Sequence, residues 1–202
     1  VWAAVAARKL GKPVKLRLDR DDDFLVTGKR HPFAYDYSVG FDDTGRITGR
    51  KLTMAVNCGF SADLSGPVAD RAVFHVDNAY FLQDVAIASY RCKTNTQSNT
   101  AFRGFGGPQG MIVTEAIMGD IARQLGLDAL DVRRRNLYGI TERNVTHYQM
   151  TVEDNILEPL LFKLEQTSGY RLRKEAISAW NAASPVIQRG IALTPVKFGI
   201  SF

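Results

Sequence analysis

The sequence predicts an α+β fold. Strand-like alternation is confined to a few segments, amphipathic helical stripes occupy others, and the two do not follow the regular rhythm of a βαβ sheet. Residues 1–10 are rich in alanine and close with Arg8, Lys9 and Gly11, the signature of a helix end. Pro13 blocks its continuation. Val14, Leu16 and Leu18 alternate with Lys15, Arg17 and Asp19, which predicts a strand. Asp21, Asp22 and Asp23 read as a solvated acidic run rather than a cation site, because hard cations need more oxygen ligands around one point.

Tyr35, Tyr37, Val39 and Phe41 alternate again, a turn follows at 42–45, and 47–56 returns as a second strand, so a long hairpin is expected. Residues 57–70 read as a loop on their Gly, Asp, Ser and Pro content. A short helix is expected at 68–78 and another strand at 81–90. Residues 92–110 are a polar stretch running into a glycine-rich loop, with Pro108 where a helix can begin. Val113, Ile117 and Ile121 then recur every four residues, widened by Met111, Met118, Ala122 and Leu125 and ended by Gly126. Asp128 can cap a helix through Leu137; 153–167 and 170–183 read as two more helices, and 190–202 as strand.

Composition narrows the function classes. The chain has 202 residues, 45% hydrophobic and 23% charged, which excludes disorder over most of its length. Cys58 and Cys92 are its only cysteines and lack C-x-x-C spacing, so neither a disulfide scaffold nor cluster ligation is expected. No apolar run reaches the roughly 18 residues of a membrane helix. The net charge of +5 is dispersed. Arg133-Arg134-Arg135 and an isoelectric point ≈ 9.3 prompt a basic nucleic-acid-binding module as an alternative of another class. On a helix those side chains fan out and are expected to solvate the surface. His31, His75 and His147 show no metal-ligand spacing and read as structural or surface residues. Glu115 reads as a helix residue outside any site. Val1 at the start and apolar residues at the end suggest an internal fragment spanning 1–202, with a subdivision near 140–152.

The chemistry concentrates in Phe102-Arg103-Gly104-Phe105-Gly106-Gly107-Pro108-Gln109. Glycines let backbone approach a ligand closely and adopt positive φ. A helix N-terminus directly after the loop favours anions. Aromatic rings offer faces for a planar ligand, and an arginine can fork onto oxygens. The stretch before the loop is polar, so a dinucleotide-binding reading is poor.

The run from Ser98 to Gln109 resembles the signature of the molybdopterin-binding part of the xanthine dehydrogenase family. Thr27-Gly28 with Arg30-His31-Pro32-Phe33, residues 70–78, Arg133-Arg134-Arg135-Asn136-Leu137-Tyr138 and residues 195–202 resemble the same family in the same order. The resemblance implies part of the molybdopterin-binding domain of a molybdenum hydroxylase, with hairpin strands and several packed helices. It implies oxidation of purines, hypoxanthine and xanthine to urate, with water as the oxygen source. A glutamate base and a second, purine-binding glutamate are expected outside these residues, and 2Fe–2S clusters and FAD in other domains or subunits. Phe102 and Arg103 would contact the molybdenum centre through backbone N–H groups rather than as side-chain ligands. Phe105 would stack on the purine, Phe202 would meet it edge-on, and Leu64 would line the approach. Arg71 would pair with a purine oxygen on which charge develops, stabilising the transition state. The glycine bend and Arg71 are thus expected to face one hollow. The resemblance further implies a cytoplasmic homodimer that uses neither nucleic acid nor membrane. The alternative within the superfamily is an aldehyde or N-heterocycle oxidase. The 202-residue chain by itself is expected neither to hold the cofactor nor to turn over xanthine.

Overall fold

The computed structural model describes residues 1–199. Its centre is the expected hairpin. Strands Phe33–Phe41 (β1) and Ile47–Gly59 (β2) pair antiparallel, from Phe33 opposite Val56 to Gly40 opposite Gly49. Asp42 closes the turn, its Oδ1 accepting from the backbone N–H groups of Thr44 and Arg46 at 2.9 and 3.1 Å. Strand Val85–Lys93 (β3) joins the other edge of β2 in parallel, giving a three-stranded sheet of order β1-β2-β3. A parallel neighbour requires a crossover, and the segment containing helix Ser65–Phe74 (α3) supplies it.

Period-two alternation puts Leu52, Met54 and Val56 on one buried face of β2. Helix Gly107–Leu125 (α4) presents Val113, Ile117, Met118 and Ile121 to the core that takes Leu52 and Met54, the stripe the sequence predicts, and ends at Gly126 in the left-handed conformation. Asp128 caps helix Ala129–Asn136 (α5) by accepting from Leu130 N–H at 2.8 Å. At its far end, buried Asn136 donates to Gly45 O (2.8 Å) and accepts from Ile47 N–H (2.9 Å), tying α5 to the hairpin turn. Helices Leu157–Thr167 (α6) and Tyr170–Ala183 (α7) are tied to α5 through ion pairs. Arg134 bridges Glu158 and Glu165 at 2.9 and 3.0 Å, and Arg171 reaches Asp131 at 2.6 Å.

Several expectations are corrected. Residues 14–18 form no strand; alternation without a partner ladder is not enough. Instead Asp19 caps a helix, Arg20–Val26 (α2), accepting from Asp22 N–H at 2.9 Å, and the acidic run is that helix's first turn, where its charges complement the macrodipole. The opening helix is Trp2–Leu10 (α1), capped by Gly11 as expected. Helix α3 begins at Ser65 rather than 68, since Gly66 and Pro67 sit in the first turn where no intrahelical N–H bond is lost. It ends at Phe74, and β3 begins at Val85 rather than 81 because Tyr80 bridges to Leu137 instead. Residues 190–199 are not a strand: side chains of α3 and the turn after it, not a neighbouring strand, take the carbonyls of Pro195 and Gly199.

The arginine run is corrected as well. Successive helix positions rotate by about 100°, so one of three adjacent residues must face the packed side. Arg133 does, lying 6% exposed with Nε 2.7 Å from Glu115 Oε2. Glu115 also accepts from Asn78 Nδ2 (2.8 Å) and Tyr80 Oη (2.5 Å), so this carboxylate is held in a structural network. Arg135 donates to Thr44 O. The basic run is committed to intramolecular pairs. Among the described residues, no helix is long and apolar enough to cross a membrane.

Candidate active-site wall

Gly104, Phe105 and Gly106 run consecutively through left-handed conformations, with φ of 93°, 50° and 99°. Such a run reverses the chain tightly just before α4. Gly106 is required twice over. Its φ disfavours a side chain, and a Cβ there would fall 2.1 Å from Val68 O on α3. Gly110 repeats the contact one turn later, 2.3 Å from Ala72 O. The first turn of α4 therefore packs backbone-to-backbone on α3, beside fully buried Ala69 and Ala72.

That contact fixes Phe105 beside the exposed end of α3. Arg71, Phe74, His75, Phe105, Tyr148 and Lys197 line one hollow of about 500 Å³. Arg71 is 7% exposed, donates from Nη2 to Gly199 O, and lies with its guanidinium carbon 4.9 Å from the Phe198 ring centroid. His75 Nδ1 bonds Arg71 O at 2.8 Å, and burial pushes its imidazole below the ordinary range, so it adds no positive charge at neutral pH. Phe74 and Tyr148 cross edge to face at 4.9 Å and 83°.

The loop has a second, polar side. Phe105 N–H and Gly107 N–H close turns onto Phe102 O (2.7 Å) and Gly104 O (2.9 Å). Among the described residues, the N–H groups of Phe102, Arg103, Gly104 and Gly106 donate to no protein acceptor. Unclaimed amides at a helix start suit an oxygen-rich or anionic group. No cluster of His, Cys, Asp or Glu able to hold a metal ion exists among the described residues. The unclaimed amides of the loop fit the oxygen-rich face of a pterin-borne group.

The structure separates the residues singled out in the sequence. Arg71 and Phe105 share the hollow. Phe102 and Arg103 lie on the adjoining loop: Phe102 is 54% exposed, with the Arg30 guanidinium 4.4 Å over its ring. Leu64, the residue before α3, is half exposed and does not line the hollow. Phe202 lies outside the described residues. The sequence reading missed Arg30, which donates to Arg103 O at 2.6 Å, and the role of Gln109, whose carbonyl accepts from Tyr35 Oη at 2.7 Å. Burial pushes the Tyr35 phenol up to about 12, so it remains a donor. Both belong to the quoted blocks, yet only the fold brings residue 30 against residue 103. His31 and His147 are structural, bonded to Ser65 Oγ and Val73 O at 2.8 and 2.9 Å.

A family model for the molybdopterin cofactor-binding domain matches residues 1–137. The chain belongs to that family. Among curated proteins, it is similar to xanthine dehydrogenase/oxidase of Gallus gallus, 46% identical over 199 residues that cover 98% of this chain and 14% of that protein. Xanthine dehydrogenase of Calliphora vicina is 42% identical over 199 residues, covering 98% and 15%. Nicotinate hydroxylase of Emericella nidulans is 41% identical over 200 residues, again covering 98% and 15%. The chain thus spans 14–15% of the length of these relatives. Among solved structures, aldehyde oxidoreductase from Desulfovibrio gigas superposes with a TM-score of 0.71 at 26% identity, covering 85% of this chain and 19% of that one. Quinoline 2-oxidoreductase from Pseudomonas putida 86 reaches 0.75 at 23% identity, covering 90% and 24%, a likeness of fold alone. The mixed α+β architecture of this molybdopterin-binding domain is therefore that of molybdenum hydroxylase domains.

Proposed function

We propose that this chain forms part of the active-site wall of a molybdenum hydroxylase that oxidises purines. The observation that supports it most is Arg71 and Phe105 facing one hollow beside a loop of unclaimed amides. When bound, the molybdenum–pterin group supplies the oxygen-transfer and electron-accepting chemistry. The amides of Phe102, Arg103, Gly104 and Gly106 would hold it, and Arg30 steadies that loop through Arg103 O.

Phe105 stacks on the flat substrate, a contact worth about 0.5–1.5 kcal/mol beyond burial. Attack on an electron-poor heterocycle moves negative charge onto its ring oxygens. The Arg71 guanidinium meets that charge as it develops, which lowers the barrier more than it tightens ground-state binding. Neutral His75 supports Arg71 through its main-chain carbonyl without competing for the anion. The complete protein carries 2Fe–2S and FAD elsewhere and works as a cytoplasmic homodimer. The 41% identity to a nicotinate hydroxylase favours a second reading, in which the substrate is another N-heterocycle.

The full-length protein is expected to contain molybdenum and to lose visible absorbance anaerobically on addition of xanthine. Absorbance loss with nicotinate or an aldehyde and none with xanthine supports the second reading. A molybdenum-loaded protein that responds to none of them contradicts both.

A further inference from the structure

Residues 195–199 cross the hollow as a strap without strand neighbours among the described residues, and their placement needs another cause. Two adjacent side chains supply it. Asp77 is fully buried, and its Oδ2 accepts from Tyr138 Oη at 2.7 Å and from Lys197 Nζ at 2.9 Å. The same ammonium lies 5.7 Å from the ring centroids of both Tyr138 and Tyr148. Asn78, in the left-handed region at φ 47°, grips the main chain of the strap: Nδ2 donates to Pro195 O at 2.9 Å and Oδ1 accepts from Lys197 N–H at 3.4 Å. Its second amide hydrogen goes to Glu115, so the grip is anchored on α4.

Beyond the grip, the strap meets the substrate hollow. The Phe198 ring lies 5.1 Å from His75 and 4.9 Å from the Arg71 guanidinium. It also covers Gly107, where a Cβ would stand 2.5 Å from a Phe198 ring carbon. The next residue, Gly199, takes the Arg71 Nη2 hydrogen on its carbonyl. Pairing partly exposed Lys197 with a fully buried carboxylate adds little net stability, because desolvation of Asp77 offsets the attraction; its contribution is a fixed geometry.

We propose that Asp77, Asn78 and Lys197 form a clamp whose work is to position Arg71, through the strap that carries Phe198 and Gly199. The three are positioning residues. The kinetic consequence rests on the purine reading above; the clamp itself does not, and a measurement without substrate separates the two.

The test uses the full-length protein carrying Lys197→Met. Exchange of the Lys197 amide hydrogen, which Asn78 Oδ1 accepts, is expected to speed up roughly tenfold or more while α4 keeps its protection. The kcat for xanthine is expected to fall about tenfold more than the kcat for an aldehyde, with KM little changed, and Lys197→Arg to restore both readouts. Should the single variant fold poorly around an unpaired carboxylate, the neutral pair Asp77→Asn with Lys197→Met is expected to give the same two effects. Unchanged strap exchange in both variants overturns the clamp. Faster exchange with no change in the purine-to-aldehyde preference overturns the positioning of Arg71, provided Arg71→Met itself alters that preference. If Arg71→Met does not, the purine reading fails, and strap exchange alone still decides whether the clamp exists.

Discussion

Arg71→Met in the full-length protein is expected to lower kcat for xanthine by about 10²–10³, the usual loss when one donor to a developing oxyanion is removed. An aldehyde substrate, which has no distant ring oxygen, should keep its kcat to within about threefold by the same argument. Met preserves the length and much of the packing of the buried stem. Steady-state kinetics on both substrates with one preparation check the result. Equal losses would show that Arg71 supports the fold and not the charge on the substrate.

Gly106→Ala is expected to be more damaging than any other single-methyl addition in the loop. The left-handed φ of 99° costs about 1–3 kcal/mol for a residue with a side chain. The clash with Val68 O is with helix backbone, which cannot rotate away, and overpacking of this kind adds about 1–3 kcal/mol. The predicted outcome is a loss of roughly 2–6 kcal/mol in chemical denaturation together with lower molybdenum content per polypeptide. Gly126→Ala is the control: its φ is 65° and a Cβ there meets nothing within 4 Å, so only about 1–2 kcal/mol should be lost and molybdenum should be retained. Equal effects at 106 and 126 would mean that the close approach of α4 to α3 does not shape the loop.

Much of this architecture is legible in the sequence where one local rule decides it. The hairpin follows from alternation broken by Asp42 and Gly45, and α4 follows from a four-residue apolar repeat between Pro108 and Gly126. Errors fall where a distant partner decides. Val14, Leu16 and Leu18 alternate like a strand, but no ladder forms beside them, and the Asp19 cap starts a helix instead. Residues 190–199 carry strand composition, yet Asn78 and Arg71 claim their carbonyls.

The site divides in the same way. Phe105 is visible in sequence because its glycine neighbours are visible. Arg71 is indistinguishable from a surface arginine on local grounds, and the resemblance alone singled it out. Arg30, Gln109 and Lys197 escape because their partners lie at residues 103, 35 and 77, far along the chain. Arg133 looks solvated in sequence because a run of three arginines carries no sign of which one faces Glu115.

The most direct measurement is a crystal structure of the full-length protein with a bound purine. The expected result is a planar ring in the hollow, its face against Phe105 and an oxygen within hydrogen-bonding distance of the Arg71 guanidinium. A purine seated elsewhere, with Arg71 turned away from it, would contradict the account.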